Sequence, residues 1–401
     1  METTELDKAL LTDLHKAYYQ TRRSKRNAIT QLRFEIDLEA NLIELCRQIQ
    51  DRTYKPGQST CFVVGHPVKR EIFAAGFRDK VVHQLLINYI APFFERRMIY
   101  DCYSCRRGFG TSKGIDRLEH SIRSASQNYT LPAYVLKLDL KEYFLSINKE
   151  LLYSKIENSL RSRKNRRDKR VDLELYLCNE IIFSDPTKGC RIKGHPRDWM
   201  GLPRTKSLFS RPEGFGLPLG SLTSQLFSNI YLNDFDHYVK RELGMRYYGR
   251  YVDDFYLVHR DKKVLLDAMS KLSAHLNENY GLSVHPKKVY LQPVEHGVNF
   301  LGAYLKPHRR YVTRRVVGSV YKSLLKHEEM LLKMGGRNDK KTLKYIQSRI
   351  NSYFGYMARF KTFKLRAKLW DSCVLQKEYF DCNWKLDRMR LRLSFNNTLY
   401  E

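Results

Sequence analysis

The stretch RYVDDFYLV, residues 250–258, decides the fold of this chain. It places two adjacent aspartates, Asp253 and Asp254, between aromatic and β-branched residues of the kind that favours β-strands. The pattern predicts a tight hairpin with both carboxylates at its tip. Adjacent carboxylates repel one another, so the arrangement costs stability unless positive charge lies between them. Taken alone, the dipeptide favours a plainer interpretation, an exposed turn without a chemical role.

A third carboxylate ends another predicted strand. Residues 133–140, AYVLKLDL, alternate apolar and polar side chains as a half-buried strand does, and Asp139 lies at its end. Three carboxylates on adjacent strand ends would hold two Mg²⁺ ions roughly 3.5–4 Å apart, as in phosphoryl transfer. Mg²⁺, with Mn²⁺ as a possible substitute, prefers oxygen ligands and keeps some waters, so few protein ligands are needed. Such ions would supply the positive charge that the hairpin lacks.

The composition points to a polyanionic partner. The 401 residues include 72 Lys and Arg against 43 Asp and Glu, a net charge of +29. Nucleic acid is the first candidate for this partner and an anionic membrane surface the second. The 27 tyrosines and 20 phenylalanines favour nucleic acid, because aromatic rings interleaved with basic residues stack on bases.

The sequence favours a cytoplasmic protein. The most apolar run, VVHQLLINYIAPFFE at 81–95, is short and interrupted by polar residues, so it predicts a buried helix rather than a membrane span. The N-terminal METTELDKALL lacks the basic and apolar segments of a secretion signal. Cys102 and Cys105 form a CxxC without a second ligand pair, so free thiols in a reducing cytoplasm are a better hypothesis than zinc.

Much of the remaining pattern is helical and basic. Basic clusters stand at 22–26 and 161–170, and a Pro- and Gly-rich connector is predicted at 185–218. Residues 306–401 hold 23 Lys and Arg against 8 Asp and Glu, about half of the whole excess, and predict a basic helical domain that contacts nucleic acid. Helical spacing predicts three apolar faces: Leu10, Leu11, Leu14 and Ala17; Leu222, Leu226, Ile230 and Phe235; and Leu343, Ile346, Ile350, Phe354 and Met357.

Five ordered blocks of the chain resemble reverse transcriptases. YVDD with its aromatic and β-branched flanks resembles the signature hairpin of that family. The other blocks resemble its first catalytic strand, its nucleotide-positioning loop and helix, and the two blocks after the hairpin: VLKLDLKEYFLSI (135–147), GLPLGSLTSQLFSNIYL (216–232), LSVHPKKV (282–289) and VNFLGAYLKP (298–307). The order of the blocks makes the resemblance specific, although the dipeptide by itself is weak.

One difference from the common reverse transcriptase pattern points to a subgroup of the family. Most reverse transcriptases, including group II intron and retron enzymes, carry QGxxxSP after GLP, whereas residues 219–225 follow LGxxxSQ. This variant is similar to the reverse transcriptases of diversity-generating retroelements, as are CRRGFGTSKG (105–114), DPTKGCRIKG (185–194) and INSYFGYMARFKTFKLR (350–366). The resemblance implies copying of a template-repeat RNA into cDNA with misincorporation opposite adenines. It also implies a small basic accessory variability protein as partner.

The resemblance implies roles for individual residues. Asp139, Asp253 and Asp254 match the metal-binding carboxylates, and Lys288 matches a lysine that protonates the pyrophosphate leaving group, with Lys287 as the alternative. Phe144 matches the steric gate that excludes a ribose 2′-hydroxyl, and Tyr143 is the better candidate for a core residue.

Other matched residues would contact the nucleotide or the template. The fingers arginine that grips the triphosphate is matched by Arg70, with Lys69 beside it, because a guanidinium suits a bidentate phosphate clamp. Arg78 is predicted to support template or phosphate, although any of these three could be a plain surface cation. Gly220 would allow close backbone approach, or only a turn before a helix. Leu219 and Gln225, at the two departures, are predicted to loosen base selection.

The sequence as a whole predicts an α+β, right-hand polymerase fold. We expect an N-terminal helical extension at 1–60, fingers at 61–125, and a palm at 126–306 with an RRM-like antiparallel sheet and a basic insertion around 160–212. A helical basic thumb is expected at 307–401, without an RNase H or endonuclease domain. The expected partners are template RNA, the primer or cDNA strand and dNTPs, in a bacterial or phage-encoded system. The alternatives are a retron or group II intron-like enzyme and a non-catalytic RNA-binding scaffold.

Overall fold

The computed structural model describes residues 5–23, 28–65, 68–163, 169–335 and 339–392. The chain forms two compact units: a first unit of residues 1–121 and 136–291, and a second unit of residues 122–135 and 292–401. Residues 24–26 of the predicted basic cluster and 164–168 of the predicted charge run lie outside the described residues.

The helices and strands alternate irregularly along the chain. The α-helices are α1 (Glu5–Arg22), α2 (Ile29–Ile36), α3 (Leu38–Gln50), α4 (Phe77–Arg97), α5 (Thr111–Ala125), α6 (Tyr143–Ser146), α7 (Lys149–Arg161), α8 (Lys169–Phe183), α9 (Leu222–Tyr231), α10 (Asn233–His237), α11 (Lys262–Tyr280), α12 (Arg314–Met334), α13 (Lys340–Met357), α14 (Phe363–Asp371) and α15 (Gln376–Tyr379). The strands are β1 (Thr60–Val64), β2 (Arg70–Ala74), β3 (Tyr134–Asp139), β4 (Arg191–Ile192), β5 (Tyr247–Tyr251), β6 (Asp254–His259), β7 (Tyr290–Pro293), β8 (Val298–Phe300), β9 (Ala303–Lys306), β10 (Arg309–Val312), β11 (Phe380–Cys382) and β12 (Met389–Leu391).

The predicted helix at 81–95 lies within α4, a helix of 21 residues that the first unit buries. Its apolar side chains, including Val81, Leu85 and Ile90, are fully buried, which confirms the sequence-based prediction. Among the described residues, helices that combine the length and apolarity of a bilayer span do not occur.

The central sheet of the first unit has the strand order β5-β6-β3-β7. The β5–β6 pair is an antiparallel hairpin in which Tyr251 stands opposite Asp254, so the turn consists of Val252 and Asp253. This confirms the predicted hairpin. β3 is an interior strand and buries both Val135 and Leu136, so its burial is less regular than the predicted alternation. A strand with neighbours on both edges and helices nearby has little surface to leave polar.

The 185–218 connector is attached to a smaller sheet with the order β2-β1-β4. β1 and β2 are antiparallel, and Val64 stands opposite Arg70. The buried Glu71 carboxylate of β2 accepts hydrogen bonds from Trp199 Nε1 at 2.8 Å and Leu208 N at 2.9 Å. The connector otherwise forms short 3₁₀ turns, as its prolines and glycines predict.

The predicted helix after the connector is shorter and more broken than its sequence suggests. α9 ends at Tyr231, α10 ends at His237, and a π-helical turn spans Tyr238–Glu242. Leu226, Ile230 and Phe235 are buried as predicted, whereas Leu222 is 44% exposed. Leu222 is the first residue of α9, so it lies at the helix end rather than on the buried stripe.

The second unit contains the sheet β10-β9-β8 and the helices α12 to α15. Its core confirms the predicted helical spacing, because Leu343, Ile346, Ile350, Phe354 and Met357 of α13 are all buried. These side chains pack with apolar residues of α12 and with Phe380 and Met389 of the β11–β12 pair. Sheets and helices in both units make the molecule α+β, as predicted.

Candidate active site

The turn that carries Asp253 is strained. Val252 has φ of 58°, a left-handed conformation that a β-branched residue rarely adopts. The carbonyl oxygen of Asp253 accepts a 3.1 Å hydrogen bond from the backbone N–H of Leu140. The hairpin tip is therefore joined to the residue that follows Asp139, and the structure brings the three predicted carboxylates to neighbouring strand ends.

Two lysines accompany these carboxylates. Lys288 Nζ lies 2.9 Å from Asp139 Oδ1, and Lys137 Nζ lies 3.3 Å from Asp254 Oδ1. Of the two adjacent lysines, Lys288 is the one whose ammonium pairs with Asp139. The ammonium groups supply part of the positive charge that the paired aspartates require. Sequence analysis missed Lys137, although it lies two residues before Asp139 and therefore on the same face of β3.

Burial and neighbouring charges raise the pKa values of Asp253 and Asp254. Burial raises the pKa of Asp254 to about 7; Lys137 opposes this rise, and Asp253 and Asp139 add to it. Burial also raises the pKa of Asp253, with the Asp139 charge adding to the rise and Lys288 and Arg70 opposing it. Such shifts arise where like charges are held together in a partly desolvated site.

The donor atoms suit a hard divalent cation. Asp254 Oδ1 is buried and, within the described part of the chain, receives no hydrogen bond of good geometry despite its ion pair with Lys137. Carboxylate oxygens are the ligands that Mg²⁺ prefers, and waters and substrate phosphates complete its shell. The described residues contain no group of three or more His, Cys, Asp or Glu already arranged around a metal position.

A buried ion pair lies directly behind the hairpin turn. The Arg250 guanidinium is fully buried and donates to both Asp236 oxygens, at 2.7 Å from Nε and 2.6 Å from Nη2. Its Nη1 donates to the carbonyl oxygen of Val252 at 3.0 Å. Arg250 thus attaches the strained turn residue to α10. Sequence analysis did not select Arg250, although a cation in the middle of a buried strand is unusual enough to have been a signal.

A second set of hydrogen bonds supports the same turn. Ser104 Oγ accepts a 3.3 Å bond from the Val252 N–H and donates a 2.9 Å bond to Asn229 Oδ1. Asn229 Oδ1 also accepts from Arg250 Nη1 at 3.3 Å. The turn before Asp253 is therefore held through both its N–H and its carbonyl by buried groups.

The predicted fingers residues occupy different environments. Arg70 is exposed at the start of β2, close enough to Asp253 to lower the pKa of that carboxyl. Lys69 Nζ donates to the Met200 carbonyl at 2.7 Å, which attaches it to the connector. Arg78 donates to Asp79 Oδ1 at 2.9 Å and stacks over the Tyr54 ring at 4.8 Å. The structure thus places Arg70 near the carboxylates and gives Arg78 local partners.

The two aromatic residues after Asp139 differ in burial. Tyr143 is buried, and its hydroxyl donates to the Ser228 carbonyl at 2.5 Å, as a core residue would. Phe144 is half-buried beside it, with ring centroids 5.7 Å apart. The carbonyl oxygen of Phe144 accepts from Leu217 N at 2.8 Å, which joins α6 to the positioning loop.

The positioning loop is packed against β2. The carbonyl oxygen of Leu219 accepts a 2.9 Å bond from Phe73 N. Gly220 has φ of 105°, and a Cβ there would lie 2.7 Å from Ile72 Cγ2 and 3.2 Å from the Phe73 carbonyl oxygen. Close packing against β2 therefore explains a glycine at this position, in addition to the predicted close approach to a ligand. Gln225 is exposed on α9, and its Oε1 accepts from the Cys105 thiol at 3.3 Å.

The cysteines of the predicted CxxC do not face each other as a ligand pair would. Cys102 is buried with its Sγ 3.6 Å from Asn229 Oδ1, whereas Cys105 is exposed beside Gln225. All eight cysteines of the chain are free thiols in the structure.

The sequence of the chain is similar to sequences of known proteins. The family model described as reverse transcriptase (RNA-dependent DNA polymerase) matches residues 69–305, more than half of the chain. Protein YkfC of Escherichia coli (strain K12) is 24% identical over 289 residues, which are 63% of this chain and 67% of YkfC.

Solved telomerase structures from Candida Tropicalis are also similar. The apo telomerase has 13% identity and a TM-score of 0.47, and the match covers 79% of this chain and 58% of that chain. The form truncated from the C-terminal domain has 14% identity and a TM-score of 0.45, over 64% of this chain and 55% of that chain. The chain thus spans less than two thirds of the telomerase chains that it matches.

The match to the reverse transcriptase family model covers the predicted Asp139, Asp253 and Asp254 and most of the first unit. Together with the α+β architecture and the hairpin at the end of the central sheet, it confirms the predicted right-hand polymerase fold class and enzyme class. The chain belongs to the reverse transcriptase family of RNA-dependent DNA polymerases.

Proposed function

We propose that this protein is the RNA-directed DNA polymerase of a diversity-generating retroelement, which copies a template-repeat RNA into cDNA with errors at template adenines. The observation that supports the polymerase activity is the position of Asp139, Asp253 and Asp254 at neighbouring strand ends, where Lys288 pairs with Asp139 and Lys137 pairs with Asp254. Carboxylates that are held close together in a partly buried site repel one another, so the site is suited to bind a cation.

The three carboxylates would hold two Mg²⁺ ions, or Mn²⁺ in their place. When bound, the ions would lower the pKa of the primer 3′-hydroxyl and neutralise charge that develops on the triphosphate. Lys288, now paired with Asp139, is the proposed donor of a proton to the pyrophosphate leaving group. Its exposed ammonium would exchange the carboxylate for the phosphate when metal and nucleotide bind.

Arg70 and Phe144 are proposed to select the nucleotide. The Arg70 guanidinium, which is exposed and acts on the Asp253 charge, suits a bidentate contact with the triphosphate. The half-buried Phe144 ring would clash with a ribose 2′-hydroxyl and so favour deoxynucleotides. Lys69 and Arg78 would assist only after leaving Met200 and Asp79, so we assign them supporting contacts with nucleotide and template.

The retroelement subgroup is proposed from the LGxxxSQ text at residues 219–225. Leu219 and Gln225 replace the residues that most reverse transcriptases carry, and both belong to the loop and helix that would position the template base. Gly220 would bring this loop close to β2 and to the nucleotide. These departures would loosen base selection opposite adenine.

The proposed partners are template RNA, primer or cDNA, dNTPs and a small, basic, oligomeric accessory variability protein in a bacterial or phage-encoded system. We propose a cytoplasmic location and the domain limits given above: extension 1–60, fingers 61–125, palm 126–306 and thumb 307–401. The net charge of +29 supports a nucleic-acid partner.

Primer extension on an RNA template with Mg²⁺ and dNTPs tests the polymerase activity. We expect extension by the wild-type chain and a loss of at least about 10³-fold in Asp253→Asn, because electrostatic stabilisation of this kind supplies several kcal/mol. Thermal unfolding of the variant checks that the fold is intact. A folded wild-type chain that binds RNA but extends no primer under any divalent ion would favour the scaffold alternative.

Sequencing of the cDNA tests the subgroup. We expect errors concentrated at template adenines in the wild type and fewer of them in Leu219→Gln, with errors at other bases unchanged. An error spectrum without preference for adenine would favour a retron or group II intron-like enzyme instead. Sequencing of RNA that copurifies with the chain would identify the template.

A further inference from the structure

The second unit contains a groove of about 800 Å³ between β10 and the start of α14. Six cations line it, and the described residues that line it include no acidic side chain. The cations are Arg309, Arg310, Arg314, Lys361, Lys364 and Arg366. This density of positive charge favours an anion in the groove.

The backbone of α14 adds further positive potential. Its first residues, Phe363 and Lys364, lie in the groove, and the N-cap Thr362 makes no side-chain hydrogen bond to the helix. The Thr362 hydroxyl instead donates to the Met357 carbonyl at 2.5 Å. The first N–H groups of a helix have no partner within it, so an uncapped helix start attracts anions.

A buried guanidinium adds to the positive charge of the groove. Arg366, which lines the groove, is 6% exposed, and its Nη1 donates to the carbonyls of Lys385, at 2.6 Å, and Leu386. Its Nε is buried and has no hydrogen-bond partner among the described residues. The charge of Arg366 therefore has no carboxylate partner among the groove residues, and an anion in the groove would be favourable.

Aromatic rings indicate which kind of polyanion fits. Phe363 is 53% exposed and Tyr311 is 38% exposed, and both line the groove among the cations. Arg309 also stacks over the Tyr311 ring at 4.9 Å. Bases of a duplex are stacked on one another, whereas unpaired bases stack on exposed aromatic side chains.

We propose that this groove binds a single-stranded segment of nucleic acid, with phosphates on the cations and the α14 start and a base on Phe363. The inference deepens the proposed polymerase function and rests on it for the identity of the polymer. It assigns this groove, not the whole second unit, a contact with unpaired template or product.

Binding of fluorescent 12-nucleotide RNA and of a blunt RNA–DNA duplex by the full chain, followed by anisotropy, tests the proposal. We expect Phe363→Ala to weaken binding of the single strand about tenfold, as for one lost stacked base, and to leave duplex binding unchanged. Tyr321→Ala, which removes another exposed aromatic side chain of the second unit, is the matched control.

Salt dependence tests the phosphate contacts. Removing two phosphate contacts should lower the magnitude of the slope of log K against log salt by about 1.4 for a single strand. We expect this decrease in Lys361→Ala/Lys364→Ala and no decrease in Lys326→Ala/Lys333→Ala, whose lysines are exposed on α12 outside the groove.

Three outcomes would overturn the proposal: equal losses on duplex and single strand, equal losses in both lysine pairs, or equal competition by poly-glutamate and RNA. They are distinguishable from failure of the polymerase proposal, because groove binding is measured without dNTPs. Asp253→Asn should extend no primer but bind the single strand as the wild type does.

Discussion

The two compact units differ in how many ionisable side chains they bury. The first unit buries ionisable groups at no more than 7% exposure: Glu71, Asp79, Asp101, Lys149, Glu174, Asp236 and Arg250. In the described part of the second unit, the buried polar residues are Ser126, His327, Thr362, Arg366 and Gln376, and none is a carboxylate. Apart from Arg366, the described lysines and arginines of this unit are exposed or partly exposed.

The difference reflects what each unit binds. A buried charge must have a fixed partner, so buried pairs hold the turn before Asp253 in one position. Exposed cations can move with a flexible polyanion, and each contributes little to folding. The unit with the reacting groups therefore contains paired interior charges, whereas the other unit carries most of its charge at the surface.

The largest expected effect tests the buried pair of the first unit. Arg250→Met should lower the free energy of unfolding by about 3–5 kcal/mol, because it leaves Asp236 buried without its cation. Arg250→Met/Asp236→Leu should recover part of this loss, although Tyr248 also loses its acceptor. Urea unfolding measures both variants. Arg315→Met, at an exposed cation of α12, should change stability by less than about 0.5 kcal/mol, and an equal loss there would contradict the contrast.

A pH experiment tests the one buried histidine of the second unit. Burial, together with the smaller effects of the Arg349 and Lys326 charges, lowers the pKa of His327 to about 4. The unfolded chain binds this proton near pH 6.5, so stability should fall as the pH decreases from about 7 to 4. The loss is at most about 3 kcal/mol, at 1.36 kcal/mol for each pKa unit.

His327→Phe should remove this part of the acid sensitivity, as measured by urea unfolding at pH 7.5 and 4.5. His308→Gln, at an exposed histidine of the same unit, is the control and should keep the wild-type pH dependence. Identical acid sensitivity in wild type and His327→Phe would contradict the prediction.

Substitutions at one glycine in each unit test the contrast between the units with smaller expected changes in stability. Gly220→Ala should destabilise the first unit by about 1–3 kcal/mol, because its φ is 105° and the new Cβ would meet Ile72. Gly318→Ala should stabilise the second unit by up to about 1 kcal/mol, because this α12 glycine has open space around it. The thermal unfolding midpoint should fall in Gly220→Ala and rise in Gly318→Ala. Shifts of the same sign in the two variants would contradict the prediction.

The smallest expected effect concerns the strained turn. Val252→Gly relieves the left-handed strain of about 1–2 kcal/mol but loosens the chain by about 0.5–1 kcal/mol, so stability should rise slightly. Primer extension should nevertheless fall, because Asp253 is then held less firmly. An unchanged rate would show that the turn needs no strain to position Asp253.

Some parts of the fold could be predicted from the sequence because they depend on residues that are close together along the chain. The hairpin at 250–258 and the α13 stripe follow from strand and helix periodicity within a few residues. The prediction for Leu222 was wrong because periodicity does not show where a helix begins. The family was likewise accessible, since its motifs are short and ordered.

The sequence by itself determined that two acidic residues stand at a hairpin tip, that a third ends a strand, and that the chain is strongly basic. Only the tertiary structure decided which cations meet those acids: Lys288 at Asp139 and Lys137 at Asp254. It alone placed Arg250 behind the turn and gathered six cations into one groove. The physical reason is distance along the chain, because a charge's partner depends on which faces pack together, and local sequence does not encode that packing.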